Sequence, residues 1–88
     1  MPATHAKVEI YSSANCAFCV AAKNLLKQRG FDYQEFRIDA EPSKLAEMVA
    51  RAKRRTVPQV FINDEHVGGF EDLAEADRDG RLARFAAA

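Results

Sequence analysis

The spacing of the hydrophobic residues changes twice in the first part of the chain, and this limits the possible folds most strongly. Apolar and polar residues alternate in "KVEIY" (7–11), which is typical of a half-buried strand. From Cys16 onward the apolar residues recur every three or four positions, which predicts a helix with Asn15 as N-cap and Gly30 at its end. The segment "FDYQEFRI" (31–38) then predicts a second strand. A strand, helix, strand order predicts a right-handed crossover between two parallel strands.

The rest of the chain predicts a helix, a hairpin and another helix. The second helix begins near Pro42 and has an apolar face. Two short apolar segments flank residues 63–64, an Asn-Asp pair that tolerates positive φ, so they predict an antiparallel hairpin. A last helix starts near Phe70, and we expect the tail with Leu82 and Phe85 to fold back. The predicted fold class is α/β, with a mixed four-stranded sheet flanked by three helices in a single domain, 1–88.

Charge and hydropathy exclude several classes of function. Thirteen Lys and Arg residues balance thirteen Asp and Glu residues, so no overall field attracts nucleic acid or an anionic membrane. The basic cluster 53–55 is expected to be a solvated helix end. We find no signal-peptide pattern and no apolar run near the roughly 20 residues of a membrane span. The sequence therefore predicts a soluble, cytoplasmic protein without nucleic-acid or membrane partners.

The only two cysteines, Cys16 and Cys19, lie where the first strand gives way to the first helix. A structural disulfide between them would close a very small loop, which contributes little stability. A zinc site normally needs four ligands, and only His5 and His66 remain as further candidates. A redox role fits the position best, because unpaired N–H groups at a helix N-terminus favour a thiolate. We therefore predict Cys16 as the nucleophile and the less exposed Cys19 as the resolving thiol.

Three separate motifs, "VEIYSSANCAFC", "RTVPQVFIN" and "HVGGFEDL", resemble those of the bacterial-type dithiol glutaredoxins of the thioredoxin superfamily. The resemblance covers almost the whole chain. It implies a thioredoxin-like fold, with Val57–Pro58 in the cis form. It also implies a glutathione-dependent thiol–disulfide oxidoreductase that acts on glutathionylated or disulfide-containing proteins, with glutathione as the reductant. We expect a monomer.

The resemblance further implies a set of glutathione-binding residues, namely Phe18, Arg55, Thr56, Val57, Pro58, Gly69, Phe70, Glu71 and Asp72. The backbone of residues 56–57 would pair with the cysteinyl part of glutathione. The N–H groups of residues 70–71 would bind the γ-glutamyl carboxylate at a helix start, and Asp72 would bind the ammonium. A cation at Arg51 or within 53–55 would bind the glycine carboxylate.

The chain departs from the family pattern at three positions. Ala17 and Phe18 replace the usual Pro and Tyr between the cysteines, and Ser13 stands where many glutaredoxins carry a Lys. Some glutaredoxins without that proline hold a [2Fe–2S] cluster between two chains and two glutathiones, so Cys16 is a possible cluster ligand. A third possibility is a thioredoxin-like electron donor to one dedicated enzyme, with the same dithiol chemistry.

Overall fold

The computed structural model describes residues 6–87, and its strands and helices come in the predicted order as far as Arg78. The elements are β1 (Val8–Ser12), α1 (Ala17–Gln28), β2 (Gln34–Arg37), α2 (Pro42–Ala52), β3 (Gln59–Ile62), β4 (Glu65–Gly68), α3 (Phe70–Arg78) and α4 (Arg81–Ala87). His5 lies outside the described residues. None of the helices in the described part of the chain is long and apolar enough to span a membrane.

The four strands form one mixed sheet in the order β2-β1-β3-β4. β1 and β2 are parallel, whereas β1 with β3 and β3 with β4 are antiparallel, which confirms the predicted parallel pair and the predicted hairpin. One hydrophobic cluster lies between the sheet and α1, α3 and α4, and a second lies on the opposite face under α2. The helices therefore cover both faces of the sheet.

The register of the sheet brings three segments to one end of the molecule. β1 ends at Ser12, and Tyr11 on this strand pairs with Gln59, the first residue of antiparallel β3. Val60 pairs with Gly68, the last residue of β4, after which α3 begins. Consequently the loop before α1, the loop before β3 and the start of α3 are neighbours. This is the end of the sheet at which open α/β proteins bind ligands.

Two predicted boundaries are wrong. The N-cap of α1 is Cys16 and not Asn15, because Asn15 has a φ of 57° and turns the chain one residue earlier. The second strand begins at Gln34 and not at Phe31. The backbone N–H of Phe31 donates to the carbonyl of Leu26 at 2.9 Å, so this residue closes the end of α1 over a buried ring.

The tail forms a short helix that the sequence analysis did not predict, so the sheet carries four helices and not three. As expected, the tail folds back on the domain. Leu82 is 1% exposed and belongs to the cluster under α1 and α3, and Phe85 packs against that cluster. At the predicted hairpin turn, Asn63 and Asp64 have φ values of 52° and 67°.

Candidate active site

The two cysteines lie at the start of α1 and are joined as a disulfide, with their Cα atoms 5.2 Å apart. The Sγ of Cys16 accepts the backbone N–H of Cys19 at 3.1 Å, so this sulfur occupies the position of a helix N-cap acceptor. Cys16 is partly exposed, whereas Cys19 is 1% exposed. A reagent from solution can therefore reach Cys16 more easily than Cys19.

A groove of about 210 Å³ lies beside this helix start. It is lined by eight of the nine residues predicted to bind glutathione, Phe18, Thr56, Val57, Pro58, Gly69, Phe70, Glu71 and Asp72. The ninth, Arg55, is exposed and lines a different cleft, against α2. The structure thus brings residues from three distant segments of the sequence together around one groove.

The segment before β3 forms one wall of the groove. The Val57–Pro58 peptide is cis, as predicted. Gln59 is fully buried; its Nε2 donates to Oγ1 of Thr56 at 3.2 Å, and its Oε1 lies 2.7 Å from Nε2 of His66. The side chain of Gln59 therefore ties this wall to β4. The sequence analysis missed this role, although a glutamine at the start of an apolar strand was a visible signal.

The start of α3 forms the opposite wall. Its N-cap, Gly69, has no side chain to cap the helix, so the first backbone N–H groups of α3 receive no side-chain cap. Asp72 folds back and its Oδ2 accepts the N–H of Gly69 at 3.0 Å. Gly68, with a φ of 121°, gives this carboxylate room, because a Cβ there would lie 2.7 Å from Cγ of Asp72.

Arg54 connects the two walls. Its Nη1 donates to Oδ2 of Asp72 at 3.0 Å. The hydrogen bond from Arg54 and that from the N–H of Gly69 lower the pKa of Asp72, so the carboxylate is ionised at neutral pH. The sequence analysis considered Arg54 as part of a solvated helix end or as a partner for the glycine carboxylate, since sequence alone does not tell which of adjacent cations faces α3.

The other predicted cations lie in different surroundings. Arg51 donates to Oη of Tyr11 at 2.8 Å and to Glu9 at 3.0 Å, and it packs over the ring of Phe61. It is therefore part of the packing under α2 and not of the groove. Lys53 has a φ of 60° and caps the C-terminus of α2.

Two aromatic rings form the apolar rim of the groove. Phe18 is 60% exposed, and its ring centroid lies 6.0 Å from that of Phe70. Phe18 lies between the two cysteines in the sequence, so this apolar rim begins at the cysteine segment. Such an exposed aromatic residue at a cleft is typical of a contact surface.

A second cleft, of about 530 Å³, lies on the β2 side of the cysteines and was not predicted. It is lined by both cysteines and by Lys23, Glu35 and Arg37 among others. Glu35 accepts the hydroxyl of buried Ser12 at 2.5 Å and the ammonium of Lys23 at 3.0 Å, and these bonds lower its pKa. The sequence pattern of β2 does not reveal such a cleft, because the position of the cleft depends on how α1 packs beside this strand.

Metal ligands are scarce in the part of the chain that the structure describes. No group of three or more His, Cys, Asp and Glu residues in it could hold a metal ion. A cluster at Cys16 would need further ligands from outside these described residues.

Comparison with known proteins decides the family. Residues 8–67 match the family model described as Glutaredoxin. Over 77 residues the chain is 46% identical to Glutaredoxin 3 of Escherichia coli strain K12, covering 88% of this chain and 93% of that protein.

The chain belongs to the glutaredoxin family.

Solved glutaredoxin structures agree with the fold. The solution structure of glutaredoxin from Brucella melitensis matches with a TM-score of 0.81 and 37% identity, covering 98% of this chain and 94% of that one. A buckwheat glutaredoxin–glutathione complex matches with a TM-score of 0.84 and 31% identity, covering 96% of this chain and 79% of that one. The thioredoxin-like fold and the thiol oxidoreductase class predicted from the three motifs are thereby confirmed.

Proposed function

We propose that this glutaredoxin is a glutathione-dependent oxidoreductase that reduces glutathione mixed disulfides and protein disulfides. The observation that carries the proposal is the partly exposed Cys16 at a helix N-cap, next to a groove lined by Asp72 and by the N-terminus of α3. The N–H of Cys19 and the helix start stabilise negative charge on that sulfur. Membership of the family and the likeness to a glutathione complex support it.

The groove offers a separate contact for each part of the γ-glutamyl-cysteinyl unit. The backbone of Thr56 and Val57 would pair with the cysteinyl part as an added strand does. The uncapped N–H groups of Phe70 and Glu71 would bind the γ-glutamyl carboxylate, and ionised Asp72 would bind the ammonium. Arg55 stays a prediction for the glycine carboxylate, because it lies outside the groove lining.

The reaction follows two thiol–disulfide exchanges. The Cys16 thiolate attacks the glutathione sulfur of a mixed disulfide, the Cys16–glutathione bond forms, and the protein thiolate leaves and takes a proton from water. The thiolate of a second glutathione then attacks the sulfur of the bound glutathione. Glutathione disulfide forms, and the Cys16 thiolate is released. With a protein disulfide, the Cys16 thiolate attacks one substrate sulfur, forms a mixed disulfide and releases the first substrate thiolate. The Cys19 thiolate then attacks the Cys16 sulfur and releases the second substrate thiolate, and two glutathiones reduce the resulting Cys16–Cys19 bond to give glutathione disulfide.

The test is the reduction of a glutathionylated peptide, coupled to glutathione reductase and NADPH. We expect Cys16→Ser to abolish turnover and Cys19→Ser to retain much of it, because the first cycle needs only Cys16. The opposite pattern, with Cys19 essential and Cys16 dispensable, would refute the assignment of roles. A dithiol donor to one dedicated enzyme would instead have its oxidised form reduced by thioredoxin reductase and not by glutathione.

Cluster binding is a separate proposal that rests on the same sulfur. Because Cys19 is buried, Cys16 is the sulfur that a [2Fe–2S] cluster could reach, and glutathione and a second copy would supply the other three thiolates. Anaerobic reconstitution with iron, sulfide and glutathione tests it. A brown dimer that needs both glutathione and Cys16 would support the proposal, and a colourless monomer would exclude it.

A further inference from the structure

The hydrogen bonds of Asp72 fall unevenly on its two carboxylate oxygens. Oδ2 accepts both the N–H of Gly69 and Nη1 of Arg54, each at 3.0 Å. Within residues 6–87, no hydrogen bond or ion pair is made by Oδ1. Helix capping therefore uses one oxygen only, and the other is left for a ligand.

Arg54 and Gly69 approach Asp72 from the two walls of the groove. Arg54 lies two residues before Thr56 on one wall, and Gly69 is the N-cap of α3 on the other. The guanidinium is not among the groups that line the groove itself. It thus contacts the carboxylate from outside the ligand space, and the ion pair joins the two walls.

We propose that Arg54 is a positioning residue which makes the site selective for a ligand with a free α-ammonium group. By binding Oδ2, Arg54 fixes the plane of the Asp72 carboxylate and leaves Oδ1 to accept that ammonium. The inference rests on the proposed function, since the ligand is the γ-glutamyl end of glutathione. Beyond that function, the inference adds that Arg54, a residue outside the groove, determines how strongly the protein prefers a ligand with the amino group.

The experiment compares two mixed disulfides of the same peptide, one with glutathione and one with glutaryl-cysteinylglycine. The second lacks only the α-ammonium group. We expect the wild-type protein to prefer the glutathione substrate. In Arg54→Ala that preference, measured as the ratio of the two kcat/KM values, should fall about threefold to fivefold, which is the scale of a half-exposed ion pair. The fall should come from a higher KM for the glutathione substrate, with kcat nearly unchanged, and Arg54→Lys should restore part of it.

Arg29→Ala is the matched control. It also removes an arginine that bridges to α3, through bonds to Asp77 of 2.7 Å and 2.9 Å, but at a site away from the groove. The preference should stay at the wild-type value in this variant. An equal loss in Arg29→Ala would mean that any Arg–Asp bridge to α3 matters, and would overturn the inference.

Three other outcomes also decide the question. An unchanged ratio in Arg54→Ala would refute the positioning role while leaving the proposed function intact. A lower KM for the glutathione substrate in that variant would show that Arg54 competes with the ammonium, which is the opposite of the proposal. If the wild-type protein reduces neither substrate, the proposed function fails, and the inference fails with it.

Discussion

At the scale of single residues, the site depends on positions where the backbone must come close to a charged side chain. Gly68 has a φ of 121°, a conformation that residues with a Cβ rarely adopt. The space where its side chain would be is filled by the carboxylate of Asp72. Gly68 therefore leaves room for the Asp72 carboxylate and also ends β4.

Replacing Gly68 with alanine should lower the free energy of unfolding by about 1–3 kcal/mol, measured by urea denaturation. The KM for a glutathione mixed disulfide should rise, because the new Cβ displaces Asp72. Gly30→Ala is the control: its φ is 83°, but apart from its neighbours in the chain no atom lies within 4 Å of the added Cβ. That variant should lose stability through backbone strain alone and keep the wild-type KM. Equal KM values in the two variants would contradict the role of Gly68.

At the scale of helices and strands, the sequence predicts well whatever depends on local periodicity. The two strands around α1, the hairpin with its turn at Asn63 and Asp64, and the helix starting at Phe70 are all found. One boundary is wrong because the sequence allows two residues to precede the same helix. Asn15 and Cys16 are both able to precede a helix, and the turn geometry selects Cys16.

Tertiary contacts explain the rest of what the sequence did not predict. Phe31 belongs to an alternating pattern, yet it is buried just after the C-cap of α1 and does not pair with β1. The tail was expected only to fold back, and its helical form depends on the packing of Leu82. In the site, the eight groove residues follow from family motifs, whereas the contact of Arg54 with Asp72 follows from the way two loops meet.

The short helix α4 should contribute to stability but not to catalysis. Leu82 is 1% exposed in the cluster under α1 and α3, so Leu82→Ala should reduce the free energy of unfolding by about 2–4 kcal/mol. Activity at a temperature where the variant is folded should match the wild type, because α4 does not line the groove. Arg84→Ala, on the exposed face of α4, should change stability little. A loss of turnover in folded Leu82→Ala would show that α4 is coupled to the site.

At the scale of the whole molecule, stability should depend on pH through His66. Burial and the charge of Arg54 lower its pKa, with nearby Asp72 opposing the shift and Arg51 adding to it. An unfolded histidine titrates near pH 6.5, so between that pH and the lower folded value the unfolded chain binds more protons. The contribution of His66 to the free energy of unfolding is therefore fully present above about pH 6.5 and is lost as the pH drops through the pKa of folded His66.

Urea denaturation at several pH values between about 5 and 7.5 measures this effect. We expect the midpoint to fall toward acid in the wild-type protein and to vary less in His66→Gln, which can keep a hydrogen bond to Gln59. His5→Gln should behave like the wild type. If the pH dependence of the midpoint instead disappears in His5→Gln, the assignment to His66 is wrong.

The most direct test of the proposed reaction is to identify what Cys16 carries after one exchange. Cys19→Ser is mixed with an excess of glutathionylated peptide without free glutathione, and the intact protein is analysed by mass spectrometry. We predict one glutathione per chain and released peptide thiol, with no such adduct on Cys16→Ser treated in the same way. A protein that carries the peptide instead of glutathione, or that stays unmodified while the wild type turns over the same substrate, would contradict the proposed mechanism.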